Sequence, residues 1–155
     1  MIRLLYEASL NTPIGSLGLL ADDTDLLEIS FKGLKGLSFR GKSKKERFEL
    51  EIDQLEEYFL KKRKSFSIRT RAEGTDFQKK VFKKMANINY GDVLTYKELA
   101  EKIGHPKAYR AVGSTCGVNR IPIIIPCHRV ISSSGLGGFG GGLRRKKFLL
   151  NLESN

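Results

Sequence analysis

The sequence is poor in the residues that build disulfide scaffolds and metal centres. Its 155 residues include two cysteines and two histidines, and residues 1–104 contain neither. Two cysteines cannot form a disulfide framework, and none of these residues shows the paired spacing of a zinc site. No apolar run approaches the roughly 18 residues that a membrane helix needs. We therefore expect no metal, no other cofactor and no membrane partner.

The first residues also lack a targeting pattern. From Met1 to Asn11 no charged region is followed by an apolar one, as a signal peptide requires. Together with the low cysteine content, this predicts a reducing, cytoplasmic setting.

Positive charge is what the chain has in excess. The formal net charge is +11, with 28 lysines and arginines against 17 acidic residues. A chain this basic attracts polyanions, so nucleic acid and an anionic membrane surface are the candidate partners. The alternative is a surplus of lysine that only keeps the protein soluble. The charges cluster at residues 42–47, 61–64, 79–84 and 144–147.

The first half of the chain predicts a small sheet and one helix. We expect strands at residues 2–6, 17–21 and 26–31, with a turn over 11–15 between the first two. The spacing of Phe48, Ile52, Leu55 and Phe59 then indicates a helix. Residues 65–74 suit a strand or a linker. We place an N-terminal α+β domain at 1–73, with an antiparallel sheet, and a second domain at 74–155.

The second half predicts short helices. Thr75 with Gln78 and Thr95 with Glu98 match the capping-box pattern and begin helices over 76–87 and 95–103. Pro106 suits the first position of a third helix that ends near Cys116. Two short helices joined by a tight turn form a helix-turn-helix, although an ordinary helical hairpin has the same pattern.

A Cys-His pair ends the most apolar segment of the chain. Residues 121–125 lead into Pro126, Cys127 and His128. A thiol is a nucleophile as its thiolate, and an adjacent imidazole or guanidinium lowers its pKa, so Cys127 is a candidate reactive cysteine. The alternative is a buried free cysteine that acts as a small hydrophobe.

The C-terminal segment is rich in glycine and carries charges that oppose a helix dipole. Residues 135–142 contain six glycines around Leu136 and Phe139, which suits a binding loop or a flexible connector. A last helix over 143–152 begins with the basic residues 144–147 and is followed by Glu153, so its charges oppose the helix dipole. We expect phosphates to pair with the basic group and an imidazole to pair with Glu153.

In order and spacing these features resemble the O6-alkylguanine-DNA alkyltransferases, most strongly over residues 75–153. The matching positions are Tyr96, Arg110 to Gly113, Asn119, Ile125 to Val130, Gly138 with Phe139, Leu149 with Leu150, and Glu153. The resemblance implies an α/β two-domain fold: a small N-terminal antiparallel sheet plus helix, RNase H-like, and a mainly α C-terminal domain with a helix-turn-helix.

The resemblance also implies an activity. Such proteins repair DNA by moving an alkyl group from O6 of guanine onto their own cysteine, once and irreversibly. Here Cys127 would be the acceptor and His128 the base acting through a water. Glu153 would orient the imidazole, Tyr96 would donate a proton toward the purine, and Asn119 would brace the active-site turn.

The same resemblance implies a DNA surface and a substrate pocket. Double-stranded DNA that contains O6-alkylguanine would bind a monomer through its minor groove, with the nucleotide flipped out of the stack. DNA contacts are expected from Arg110, Ala108, Ala111, Gly113, Ser114 and Arg129. The pocket is expected to include Tyr96, Val130, Phe139 and Gly140. The protein would then be associated with the nucleoid, or lie in the nucleus of a eukaryote.

Two other functions fit part of the sequence. An alkyltransferase-like protein binds the damaged base without transfer, but those proteins lack the acceptor cysteine that is present here as Cys127. A Cys-His hydrolase draws its nucleophile and base from distant segments, whereas here they are neighbours.

Overall fold

The computed structural model describes residues 3–154 and forms two compact units that divide between Arg71 and Ala72. The first unit is a sheet with a helix, and the second is mainly helical. This order of elements confirms the expected fold class. No helix within residues 3–154 is both long and apolar enough to cross a membrane.

Four strands form the sheet of the first unit. They are β1 (Tyr6–Thr12), β2 (Gly15–Ala21), β3 (Leu26–Ser30) and β4 (Lys42–Ser43), in the order β3-β2-β1-β4. The β1-β2 and β2-β3 pairs are antiparallel, as expected, while β4 pairs with β1 in parallel. Tyr6, Ala8 and Leu10 lie on one face of β1, are buried and form part of the core.

The first strand lies later than predicted. Ile2, where we placed its start, is outside the described residues, and β1 begins at Tyr6, where the prediction ended it. Thr12 pairs directly with Gly15, so the turn is shorter than the predicted 11–15. A two-residue hairpin sets the register of both strands, and this pairing overrides the apolar run before Tyr6.

One helix packs against β1. This helix, α1 (Glu49–Phe59), buries Ile52, Leu55 and Tyr58, close to the predicted stripe. The segment left open as strand or linker runs beside β3, where the N–H of Leu26 donates to the carbonyl of Arg69 at 2.8 Å.

Over its described residues, 72–154, the second unit contains four α-helices and a short parallel strand pair. The helices are α2 (Asp76–Met85), α3 (Tyr96–Lys102), α4 (Tyr109–Gly117) and α5 (Leu143–Glu153), and the strands are β5 (Leu94–Thr95) and β6 (Val130–Ile131). Both predicted capping boxes are present, at Thr75 with Gln78 and at Thr95 with Glu98. The helices α2, α3 and α4 pack on one another.

The helix α4 begins later than its proline suggested. Pro106 lies in a turn that the Ala108 N–H closes by donating to the His105 carbonyl at 2.9 Å, and the helix starts at Tyr109. Gly104, with a φ of +82°, ends the preceding segment in the left-handed conformation. The predicted start at Pro106 was therefore wrong, because the chain needs these residues to reverse direction between α3 and α4.

Candidate active site

A cavity of about 470 Å³ opens among α3, α4 and the glycine-rich segment of the second unit. Its lining residues are Tyr96, Gly113, Cys116, Gly117, Cys127, Gly138, Phe139 and Gly140. Four of these eight are glycines, so backbone forms much of the wall and leaves room for a flat ligand. The cavity brings together Cys127, Tyr96, Phe139 and Gly140, which the sequence analysis had proposed from separate motifs.

Cys127 is held at this cavity by the turn that precedes it. Asn119 accepts from the Ile121 N–H at 3.0 Å and donates to the Ile125 carbonyl at 2.8 Å, so one amide side chain joins both ends of the turn. Inside the turn, Ile123 has a φ of +73°, a rare conformation for a β-branched residue. The bracing by Asn119 and the burial of Ile123 offset that strain and fix the position of Cys127.

The Cys127 thiol is protonated at neutral pH. Burial raises its pKa to about 11, while hydrogen bonding from Asn119 and the positive charge of Lys146 oppose the shift. The sequence had predicted a lowered pKa from an adjacent imidazole or guanidinium. That prediction was wrong, because loss of water around the sulfur outweighs the charges nearby. Any reaction through sulfur therefore needs a base.

A buried imidazole is available as that base. His128 is fully buried, and its Nε2 lies 2.7 Å from Oε2 of Glu153. Burial lowers the pKa of His128, and Glu153 only partly opposes the shift, so the ring is neutral and donates its Nε2 proton to Glu153. Within residues 3–154 the Nδ1 atom has no hydrogen-bond partner. It remains as the proton acceptor of the ring.

Arg129 completes this buried cluster. Its guanidinium donates to both oxygens of Glu153, at 2.8 and 2.9 Å, and to the carbonyl of Ile88 at 2.7 Å. The charge also lies 5.8 Å from the centre of the Tyr90 ring. Arg129 was predicted to bind DNA, and that prediction was wrong, because the side chain is buried and donates to Glu153 and to the Ile88 carbonyl instead.

Tyr96 also lines the cavity. Burial raises the pKa of its phenol, which therefore keeps its proton at neutral pH. Gly137 packs against it with a φ of +73°, and a Cβ added there would lie 2.6 Å from the Tyr96 hydroxyl oxygen. Only glycine allows the loop to come this close while the ring stays in place.

Two residues are placed differently from the sequence expectations. Val130 is not among the described residues that line the cavity; it is fully buried, and its carbonyl accepts from the Nζ of Lys146 at 2.6 Å. Lys146 was grouped with phosphate-facing charges, but it is fully buried. The sequence held a signal for this, because Lys146, Leu149 and Glu153 fall on one face of α5.

The other predicted DNA residues lie at and around α4. Arg110, Ala111 and Ser114 are exposed, Ala108 is half-buried just before the helix, and half-buried Gly113 lines the cavity. The helix α4 thus contributes both to this exposed face and to the cavity that Cys127 lines. Among the described residues, no group of three or more His, Cys, Asp and Glu is arranged to hold a metal ion.

Comparison with known proteins gives a consistent result. Residues 76–155 match the family model described as "6-O-methylguanine DNA methyltransferase, DNA binding domain", and residues 5–72 match the model for the ribonuclease-like domain of the same protein.

Individual relatives cover nearly the whole chain. A Methylated-DNA--protein-cysteine methyltransferase of Methanosarcina barkeri is 45% identical over an alignment of 155 positions that covers 97% of this chain and 98% of that protein. The structure of Mycobacterium tuberculosis OGT in complex with DNA has a TM-score of 0.88 and 38% identity, covering 96% of this chain and 92% of its own. An O6-methylguanine DNA methyltransferase from Methanococcus jannaschii gives a TM-score of 0.69 at 28% identity, covering 95% and 93%. The chain therefore belongs to the 6-O-methylguanine DNA methyltransferase family.

Proposed function

We propose that this protein repairs DNA by transferring an alkyl group from O6 of guanine to Sγ of Cys127. The observation that carries the proposal is the buried His128–Glu153 pair beside a protonated thiol that lines a cavity. A protonated thiol becomes a thiolate only when a base accepts its proton, and His128 is a buried base with an acceptor atom that is free among the described residues. Family membership and the DNA complex of the similar Mycobacterium tuberculosis protein support DNA as the partner.

His128 accepts the proton that the thiol loses. As the S–C bond forms, the Sγ proton passes to Nδ1 of His128 through a water, and Glu153 stabilises the imidazolium that results. The carbon–O6 bond breaks and leaves its electrons on the guanine. The product is a thioether on Cys127, which the protein has no means to cleave, so each molecule acts once.

The departing guanine also needs a proton. The phenol of Tyr96 lines the same cavity as the thiol and keeps its proton at neutral pH, so it can donate toward N3 of the purine. O6 of a paired guanine lies inside the duplex, so the nucleotide must leave the stack at a cost of a few kcal/mol. Arg110 is exposed on α4 and its planar guanidinium can fill the gap.

The test is transfer of one methyl group from a duplex that contains O6-methylguanine. Trypsin cleavage after Arg110, Arg120 and Arg129 puts Cys116 in the peptide 111–120 and Cys127 in the peptide 121–129. We expect the mass of one added methylene on the second peptide only, at one equivalent per protein. Cys127→Ala should bind the same duplex without gaining mass.

Two controls make the result decisive. An identical duplex with unmodified guanine should leave both peptides unchanged. If the folded parent binds the damaged duplex but gains no mass, transfer is refuted and the protein only binds lesions. Mass on the 111–120 peptide instead would move the acceptor to Cys116.

We also expect this activity at the cellular DNA, in the cytoplasm or, in a eukaryote, in the nucleus, by a monomer. The net charge of +11 supports association with the nucleoid through phosphate contacts. Fractionation of cells that express a tagged protein should recover it with DNA at low salt and release it as salt rises. Membrane recovery after nuclease treatment would argue against this location.

A further inference from the structure

Lys146 is a buried charge that the transfer reaction as described does not use. Lysine is almost never fully buried unless it is paired, yet Lys146 has no exposed surface. It lies near the start of α5, between Arg145 and Lys147, which are both more accessible to solvent. Burying an ammonium group costs several kcal/mol unless the site offers compensation, so its surroundings are informative.

The ammonium group contacts three segments around the active-site cavity. Its Nζ donates to the carbonyl of Val130 at 2.6 Å, three residues after Cys127, and to the carbonyl of Gly138 at 3.0 Å, in the glycine-rich loop. It also lies 5.9 Å from the centre of the Tyr96 ring. One side chain thus ties the loop that carries Phe139 to the segment that carries the thiol.

Both hydrogen-bond acceptors are neutral carbonyls, which satisfy the donors but leave the positive charge in place. The titratable groups that face it are Tyr96 on α3, Cys116 on α4, and Cys127 with His128 in the active-site turn. Burial lowers the pKa of Lys146, and the two thiols oppose this shift when ionised. The interaction is reciprocal, since the lysine charge lowers the pKa of Cys127.

From this geometry, and resting on the proposed function, we propose that Lys146 is a positioning residue for alkyl transfer. It anchors the glycine-rich loop to the active-site segment, and its charge stabilises the anion that forms on Cys127 as the proton leaves. Two groups oppose the desolvation of this thiol: Asn119 offers a neutral hydrogen bond, and Lys146 offers a full positive charge. The lysine supplies a fixed cation close to the developing charge without lying at the DNA surface.

The experiment compares Lys146→Met with Lys147→Met, an exposed neighbour that loses the same charge. The rate at which iodoacetamide alkylates Cys127 is measured from pH 6 to 10 through the 121–129 peptide. In Lys146→Met we expect the rate at pH 8 to fall at least about threefold and the profile to move to higher pH, because thiolate fraction changes about tenfold per pKa unit. Lys147→Met should stay within about 1.5-fold of the parent, since its charge is screened by solvent.

A second readout follows the loop. Amide hydrogen exchange over residues 135–142 should accelerate in Lys146→Met and not in Lys147→Met, because only the first loses the bond to Gly138. Lys146→Arg keeps the charge and the donors, so we expect it to retain the parent's alkylation profile.

The outcomes separate cleanly. A folded Lys146→Met variant that alkylates Cys127 like the parent overturns the inference. If that variant does not fold, Lys146→Arg decides, and a folded arginine variant with a loss of more than about threefold overturns the role of the charge. Iodoacetamide needs no DNA, so a failure here is distinct from a failure of methyl transfer in the parent protein.

Discussion

The buried cluster around Glu153 allows a quantitative prediction for Glu153→Gln. The side chains of His128, Arg129 and Glu153 are only 0%, 7% and 2% exposed, so solvent does not screen their interactions. The substitution preserves the shape and one acceptor oxygen but removes the negative charge. Arg129 is then a buried cation held by the Ile88 carbonyl and no carboxylate.

Removal of one partner from a buried ion pair costs roughly 3–5 kcal/mol, and the retained acceptor places this case near the lower end, about 3 kcal/mol. At about 2–4 °C per kcal/mol for a chain of this size, the melting temperature should fall by about 6–12 °C. The measurement is thermal unfolding followed by circular dichroism at pH 7.

The control is Glu101→Gln, the same chemical change at an exposed position on α3, which should shift the melting temperature by no more than about 2 °C. The double variant Glu153→Gln/Arg129→Met removes both charges and should lose less stability than the sum of its single variants. If Glu153→Gln has the same melting temperature as Glu101→Gln, the cluster does not behave as a buried ion pair and the reasoning fails.

Four further predictions concern the thiol, the glycine-rich loop and α4. Because the pKa of Cys127 is raised to about 11, its alkylation by iodoacetamide should rise about tenfold per pH unit between pH 7 and 9, and a rate that is flat over this range would mean a thiolate at rest. The native state holds that proton more tightly than the unfolded chain, so the free energy of unfolding should decrease as the pH rises above about 9, which urea titrations at several pH values measure. Gly137→Ala should cost at least about 1–2 kcal/mol of stability and slow methyl transfer, because its φ is positive and its Cβ meets Tyr96, whereas Gly135→Ala, with open space around it, should do neither. Arg110→Ala should slow repair of duplex DNA more than reaction with free O6-methylguanine; equal losses on both would exclude a role in extruding the nucleotide.

The sequence was sufficient to predict features that depend on neighbouring residues. The helices α2 and α3 begin where Thr75 and Thr95 cap them, because a capping box satisfies the first backbone N–H groups with side chains three residues apart. The pairing of Glu153 with an imidazole was also expected from sequence, and the structure shows that pair at 2.7 Å. Motif spacing alone placed Cys127, Tyr96 and Phe139 in one family pattern.

Tertiary structure decided the orientation and ionisation of individual side chains. From sequence, Arg129 and Lys146 were expected to be surface cations, yet both side chains are buried. Glu153 accepts from Arg129, and the carbonyls of Val130 and Gly138 accept from Lys146, so distant segments of the chain satisfy both donors. The hairpin register, and with it the start of β1, depended on pairing across the turn.

The chemical state of the thiol shows the division most clearly. The order of residues by itself determined that Cys127 would stand beside His128 at the end of an apolar segment, and hence that a thiol and a base would be neighbours. It could not determine that the thiol would hold its proton, because the pKa depends on how completely folding removes water from the sulfur and on charges contributed by α5. Sequence thus specified the reacting groups, while packing decided that a base must act before they react.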